Sequence, residues 1–474
     1  MLMDTLIWSR FAHVYERENI LAIFHTLNVK VIYINPQEDP LLADMIRDRR
    51  NITPTELTEQ QINTVHELVN LGFLIENSDA DTSLIESVRN DKIGYVNISI
   101  MYLLLTDQCN LACRYCFIEG SIPESHHFSL MSEATAKMAV DLFIAKAHIC
   151  NNPDHKPTII FYGGEPTLNW TVLETAVLYI RKKISESQLP ESTEISMVTN
   201  GTLLDRERIT FLKQNQVQFA ISFDGIGADS DGRIFHNGDK TVEQVLQSFD
   251  LLKSCDVPIS ISCTISEYNY KHIRSIAKWL CEQGVSSVGF NILMDVPGKP
   301  YASDDLINTA VTSLTDCYEI FREYGIYEDR IGRKVEVFTN GYLYPFDCAG
   351  YGNQFVIAPD GQIGVCHAYL GERKFFDINV HSAQNFDPKT HPHFEEWSRR
   401  SPLNMAECID CPTLGICGGG CAKLAEIQTG TIWGLDDRFC KHAKHTLEWM
   451  IWDLYGIMSS AVRPPKLENS LERR

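Results

Sequence analysis

Cys109, Cys113 and Cys116 place three soft thiolates on one short loop with the spacing Cys-x3-Cys-x2-Cys. Sulfur ligands of this kind select zinc or iron–sulfur clusters. A structural zinc site wants a fourth Cys or His nearby, and none follows until His126 and His127. A cubane cluster held by three cysteines instead leaves one iron open to an outside ligand. A second concentration of thiols lies towards the C-terminus. Cys348 and Cys366 come first, with Gly361 between them, then Cys408-x2-Cys411-x5-Cys417-x3-Cys421, and then Cys440. The other cysteines (Cys150, Cys255, Cys263, Cys281 and Cys317) are scattered, mostly on apolar segments, and are expected to pack as small hydrophobes.

These residues need elements to hold them. From about residue 97, β-branched runs alternate with helical patterns. NISIMYLLLT reads as a strand that ends in the cysteine loop, and Ser132 caps a helix to about residue 147. Strands then follow at 157–162, 194–199, 217–223, 258–264 and 285–292, with helices at 170–184, 205–213, 241–253 and 270–283 between them. This is the rhythm of parallel βα units with right-handed crossovers. Six units are too few for a closed eight-stranded barrel, so an α/β fold with a partial (β/α)6 barrel of TIM type is expected. Chemistry in such folds gathers at the C-terminal ends of the strands. Gly163-Gly164-Glu165-Pro166, Thr199-Asn200-Gly201 and Ser222-Phe223-Asp224-Gly225 all fall there, beside the cysteine loop.

Residues 1–95 read as a separate small α+β unit. Asn28–Ile34 is a strand, Thr58 and Gln61 make a capping box, and Phe73–Ile75 is a short strand. The acidic run Asn77–Asp81 is expected to end the unit, which suits a winged-helix-like module. Residues 96–325 are expected to form the partial barrel, 326–456 a cysteine-rich domain and 457–474 a polar tail. Residues 340–445, rich in Gly and Cys, are expected to lack enough core and to be held together by metal.

The motifs resemble those of the radical S-adenosylmethionine (SAM) superfamily. In that family the open iron chelates the amino and carboxylate groups of SAM, and one electron cleaves it to a 5′-deoxyadenosyl radical. The resemblance implies SAM contacts from Tyr115 beside the adenine, from Gly163, Gly164 and Glu165, and from Asn200, Ser222 and Ile292. Arg233 is implied to pair with the SAM carboxylate. The C-terminal cysteines resemble a SPASM extension with two auxiliary [4Fe–4S] clusters, which makes three clusters in all. By that resemblance Cys348, Cys366 and Cys421 hold the first auxiliary cluster, and Cys408, Cys411, Cys417 and Cys440 the second. Some relatives carry a further cysteine where this chain has Tyr342. The first auxiliary cluster is therefore expected to keep an open iron for a substrate thiolate or another ligand.

Two branches compete. Anaerobic sulfatase maturases, which make formylglycine on a protein, carry an Asp base where this chain has His367, and they carry the extra cysteine. Maturases of ribosomally made, post-translationally modified peptides (RiPPs) often have an N-terminal winged-helix-like element that binds a leader peptide as an added strand. The second branch fits better, with thioether or carbon–carbon cross-linking as the expected outcome. Flavodoxin or ferredoxin is the implied reductant. A non-catalytic iron–sulfur electron carrier is the alternative of another class, and it has no need of the Gly-Gly-Glu-Pro turn. His367 and Asp224 are the acid–base candidates.

Bulk properties bound the rest. At 474 residues the chain exceeds the ~250–300 residues of a single core. A net charge of −20 argues against nucleic-acid binding, which needs Lys and Arg on phosphates, and suits a basic peptide. No stretch approaches the ~20 apolar residues of a membrane span, and the N-terminus lacks a signal-peptide pattern, so a cytoplasmic protein is expected.

Overall fold

The computed structural model describes residues 5–53, 57–123, 125–147, 156–296 and 302–461. Cys150 and the residues beyond 461 lie outside the described residues.

The chain opens with β1 (Ile7–Trp8), β2 (Ala12–Arg17), β3 (Ile20–His25) and β4 (Lys30–Ile34). Strands β2, β3 and β4 form an antiparallel three-stranded sheet, and β1 pairs with β5 (Leu74–Ile75). Helices Pro40–Arg47 and Glu59–Asn70 cover one face of this sheet, with Leu42, Ile46, Val65 and Leu68 packed against Leu21 and Ile23. Both halves of the Thr58–Gln61 capping box are made. The acidic run at 77–81 does not end the unit. Asn77 is the N-cap of a helix over Ser78–Lys92, and Asp79 and Asp81 occupy its first turn. Carboxylates are favoured there by the helix dipole and by free backbone N–H groups. Asp81 is also buried, accepting from Ser9 Oγ and Arg10 N at 2.7 Å each.

The main sheet starts with β6 (Ile100–Thr106), β7 (Thr158–Gly163), β8 (Glu194–Thr199), β9 (Val217–Ser222), β10 (Ser260–Ile265) and β11 (Ser287–Ile292). These six lie side by side in sequence order, all parallel. Side-chain parity divides their faces. Ile159, Phe161, Ile195, Met197, Ile221, Ile261 and Cys263 pack in the core, whereas Tyr102, Tyr162, Val198, Ser222, Ser262 and Thr264 line an inner cavity.

The sheet does not stop at β11. Strand β12 (Tyr327–Glu328) adds in parallel to β11. At the other edge β13 (Gln354–Ile357) adds in parallel to β6, and β14 (Gln362–Gly364) and β15 (Phe376–Asn379) continue antiparallel, making ten strands. The cysteine-rich region is therefore not a core-poor appendage. Phe355, Ile357, Ile363, Tyr369 and Trp397 belong to the same hydrophobic cluster as the barrel strands.

A helix over Asp437–Ala461 closes the described chain and runs past residue 457, where the polar tail is expected to begin. Leu447, Met450, Ile451 and Trp452 on this helix pack with Ala22, Phe24 and Val29 of the N-terminal unit and with Ile416. Phe11 and Leu27 meet Leu403 and Leu414 in a further cluster. Among the described residues no helix is long and apolar enough to cross a membrane.

Candidate active site

The cysteine loop leaves β6 and is fastened on two sides. Ala112 N and Arg114 N donate to the carbonyls of Ile234 and Gly232, at 2.8 and 2.9 Å. On the other side Gly164 N donates to Thr106 O and Glu165 N to Gln108 O. The two glycines are required by that approach. A Cβ on Gly163, where φ is +134°, would lie 2.1 Å from Thr106 O, and one on Gly164 would lie 1.9 Å from Gln108 O. Their bareness serves the cysteine loop itself. The Glu165 side chain is also committed internally, accepting from Thr167 N, Thr167 Oγ1, Thr199 Oγ1 and Asn200 N. It ties the end of β7 to the end of β8, and burial raises its pKa. Asn200 holds the loop by donating to Asn110 Oδ1 at 2.8 Å, with Cys109 Sγ at 3.9 Å.

The three thiols open onto a cavity of about 920 Å3. Tyr115, Gly163, Gly164, Glu165, Asn200, Ser222, Arg233 and Ile292 all line it, so the structure gathers every proposed SAM contact around the cysteine loop. Burial pushes the thiols up, Cys109 to about 12 and Cys113 to about 11. Backbone N–H groups of Leu111 and Glu119 point at Cys109 Sγ and Cys116 Sγ and oppose that rise. A bound cluster's positive irons would complete the thiolate form. Arg233 is buried, and its Nε has no partner among the described residues. Its Nη1 donates to Tyr115 Oη at 3.3 Å, and Tyr115 in turn donates to Asp224. A buried cation that lines the cavity and keeps one N–H unpartnered fits an anionic ligand group, as SAM would supply.

The two acid–base candidates sit differently. Asp224 lies behind Tyr115, also accepts from Thr264 N, and is not among the lining residues. Its carboxylate orients Tyr115. His367 lines the cavity, but its ring is packed in tilted contact with Tyr102 at 4.8 Å and Tyr162 at 5.0 Å, and Nδ1 has no partner among the described residues. Burial lowers its pKa to about 4. Sequence reasoning missed Tyr102, Tyr162, Asn110 and His236. The tyrosines carried a usable signal, since both occupy inward positions by strand parity. His236, which contacts Cys109 O at 3.0 Å, carried none.

The C-terminal thiols form two groups. Cys348, Cys366 and Cys421 influence one another electrostatically, as do Cys408, Cys411, Cys417 and Cys440. Cys348 and Cys421 line the same cavity as the N-terminal triplet. Cys408, Cys417 and Cys440 line a separate small recess. Tyr342 is 67% exposed and lies outside the cavity lining. Among the described residues no three His, Cys, Asp or Glu side chains converge as ligands of one ion. Of the scattered cysteines, Cys263, Cys281 and Cys317 are buried in the core, and Cys255 is half-buried.

A parallel half-barrel with a three-thiol loop at its strand ends is the arrangement of a radical SAM domain, and this chain carries one. Residues 103–280 match the radical SAM superfamily model. The chain is 24% identical over 476 residues to the radical SAM cyclopropyl synthase TigE of Paramaledivibacter caminithermalis, covering 92% of this chain and 93% of that one. The fold matches native anSMEcpe with bound AdoMet at a TM-score of 0.64, with 20% identity over 76% of this chain and 99% of that one. It also matches Streptococcus suis SuiB bound to S-adenosylmethionine at 0.53, with 13% identity over 92% of this chain and 99% of that one. A SuiB structure with the precursor peptide SuiA matches at 0.50, with 12% identity over the same shares of the two chains.

Proposed function

We propose that this enzyme modifies a ribosomally made precursor peptide, forming a thioether or carbon–carbon cross-link after hydrogen abstraction by a 5′-deoxyadenosyl radical. The observation that carries the reading is the shared cavity. A substrate side chain inside it would lie between the Cys109–Cys116 loop and the Cys348 and Cys421 thiols. One end suits radical generation from SAM on a [4Fe–4S] cluster. The other suits an auxiliary cluster that accepts the electron left when the substrate radical closes a bond. The remaining thiol group, Cys408, Cys411, Cys417 and Cys440, would make a third cluster, and a carrier such as flavodoxin or ferredoxin would supply the electrons.

The N-terminal unit is the proposed leader-binding module. The alignments to TigE and SuiB leave only 8% of this chain uncovered, too little to omit residues 1–95. Within the unit β2 and β4 are the outer strands, and a leader would add to one of these edges through backbone hydrogen bonds.

The test is co-expression with the peptide encoded beside this gene, followed by mass spectrometry. Loss of two hydrogens from the core region, absent with Cys109→Ala, is the expected result. An unmodified peptide, from enzyme that cleaves SAM and holds its full iron complement, would overturn the peptide-maturase reading. A thiol or hydroxyl converted to an aldehyde would favour formylglycine chemistry instead.

A further inference from the structure

Arg400 is fully buried, yet every partner it has among the described residues is a neutral oxygen. It donates to Tyr351 Oη at 2.6 Å, Gly419 O at 2.9 Å, Gly434 O at 3.2 Å and to Ile432 O. Other buried cations of the C-terminal half have a carboxylate within 4 Å: Lys334 has Asp347, Lys423 has Glu372 and Arg438 has Asp436. A buried charge without a counter-charge is strongly unfavourable, so something else must balance this guanidinium.

Its surroundings indicate what. Gly418, Gly419 and Gly420 form a strap with φ of +76°, +88° and +63°. The strap joins Cys417 of one thiol group to Cys421 of the other. Arg400 holds its middle carbonyl, Tyr351 Oη donates to Gly420 O at 2.6 Å, and Lys334 Nζ donates to Cys417 O at 3.3 Å. The charge of Arg400 acts on Cys348 and Cys421 in the first group and on Cys408 in the second. At the N-terminal triplet Arg233 is likewise a buried guanidinium acting on Cys113 and Cys116, there with the Asp224 carboxylate as a counter-charge.

We infer that Arg400 is the resident counter-charge of the auxiliary clusters, a positioning residue that makes their reduction easier, chiefly at the Cys348–Cys366–Cys421 group. The inference rests on the auxiliary-cluster reading above. The step it favours is the one-electron reduction of [4Fe–4S]2+ to [4Fe–4S]+, with no bond made or broken. The added negative charge is stabilised by a fixed cation in a low-dielectric interior.

The test uses full-length protein with Cys109, Cys113 and Cys116 changed to Ala, so that only auxiliary signals remain. Arg400→Gln, Arg400→Lys and Tyr351→Phe are added singly, and each protein is titrated with dithionite under EPR detection. Arg400→Gln is expected to disfavour reduction at least tenfold, a midpoint shift of about 59 mV to lower potential for one electron. Arg400→Lys and Tyr351→Phe keep the charge and should stay near the parent midpoint. An unchanged midpoint in Arg400→Gln, or an equal shift in Tyr351→Phe, overturns the assignment. If Arg400→Gln fails to retain auxiliary iron, Arg400→Lys must retain it. Loss in both would show a fork that only braces the strap. A parent protein without iron or sulfide would instead remove the auxiliary-cluster reading itself.

Discussion

Gly164→Ala is the sharpest probe of the half-barrel's strand-end geometry. The new Cβ would sit 1.9 Å from Gln108 O and 3.0 Å from Cys109 N, both backbone atoms, in a region where real Cβ contacts do not fall below 3.0 Å. No side-chain rotation relieves this. The cysteine loop and the Gly-Gly-Glu-Pro turn must separate by at least 1.1 Å, the gap between those two distances. Overpacking of this kind costs about 1–3 kcal/mol in stability, which a protein of this size tolerates. The chemistry is less forgiving, because a displacement of about 1 Å in a reacting constellation can cost about 10²-fold in rate. The assay is 5′-deoxyadenosine formation from SAM and dithionite under anaerobic conditions, with iron counted in the same sample. A fall of about two orders of magnitude with auxiliary iron retained is expected. A wild-type rate in a folded variant would refute the claim that these glycines set the position of Cys109.

Two further outcomes follow from groups away from the cavity. Thr26 Oγ1 accepts from Gly415 N at 2.9 Å in a buried contact, so Thr26→Val leaves that N–H unsatisfied. It should cost about 1–3 kcal/mol in denaturant unfolding and lower iron retention at the 408–440 thiols while the Cys109 loop still cleaves SAM. Glu328 is buried and caps the helix over Asp329–Asn340, and burial raises its pKa to about 7. A carboxyl raised in the folded state contributes stability below its unfolded value of 4.5 and loses it as pH rises through about 7. Measured against Glu328→Gln, the wild type should lose up to about 3 kcal/mol between pH ~5 and ~8. A pH-independent difference in thermal midpoint would contradict this.

The six parallel strands are legible in the sequence because each carries a β-branched run and is followed by a helical pattern, and because parity sorts Ile159 and Phe161 from Tyr162. The clustering of the cysteines along the chain is legible because residue identity and spacing survive without any tertiary information, whereas the division of the C-terminal ones into two groups rests on the family resemblance. Strands β13 to β15 are not legible. Gln354–Ile357 is buried at every position, so it shows no period-two pattern. The acidic run at 77–81 reads as a polar stop, although the same carboxylates suit a helix start once Asn77 caps it. Glu165 illustrates a subtler gap. Its motif marks the right place, but only the fold reveals that its carboxylate is spent on Thr167, Thr199 and Asn200.

The contact between Thr26 and Gly415 also bears on how this enzyme could be re-engineered. A Cβ on Gly415 would lie 1.7 Å from Thr26 O, and Arg10 pairs with Asp410 at 2.6 Å. The N-terminal unit thus grips the loop that carries Cys408, Cys411 and Cys417. It is not a portable cassette. A chimera that exchanges residues 1–95 alone would disturb the segment that carries Cys408, Cys411 and Cys417. A workable graft must carry the 403–417 segment and the inner face of the final helix with it. Drift in one of these surfaces is then constrained by the other, so under the proposed function recognition and electron handling would change together across relatives.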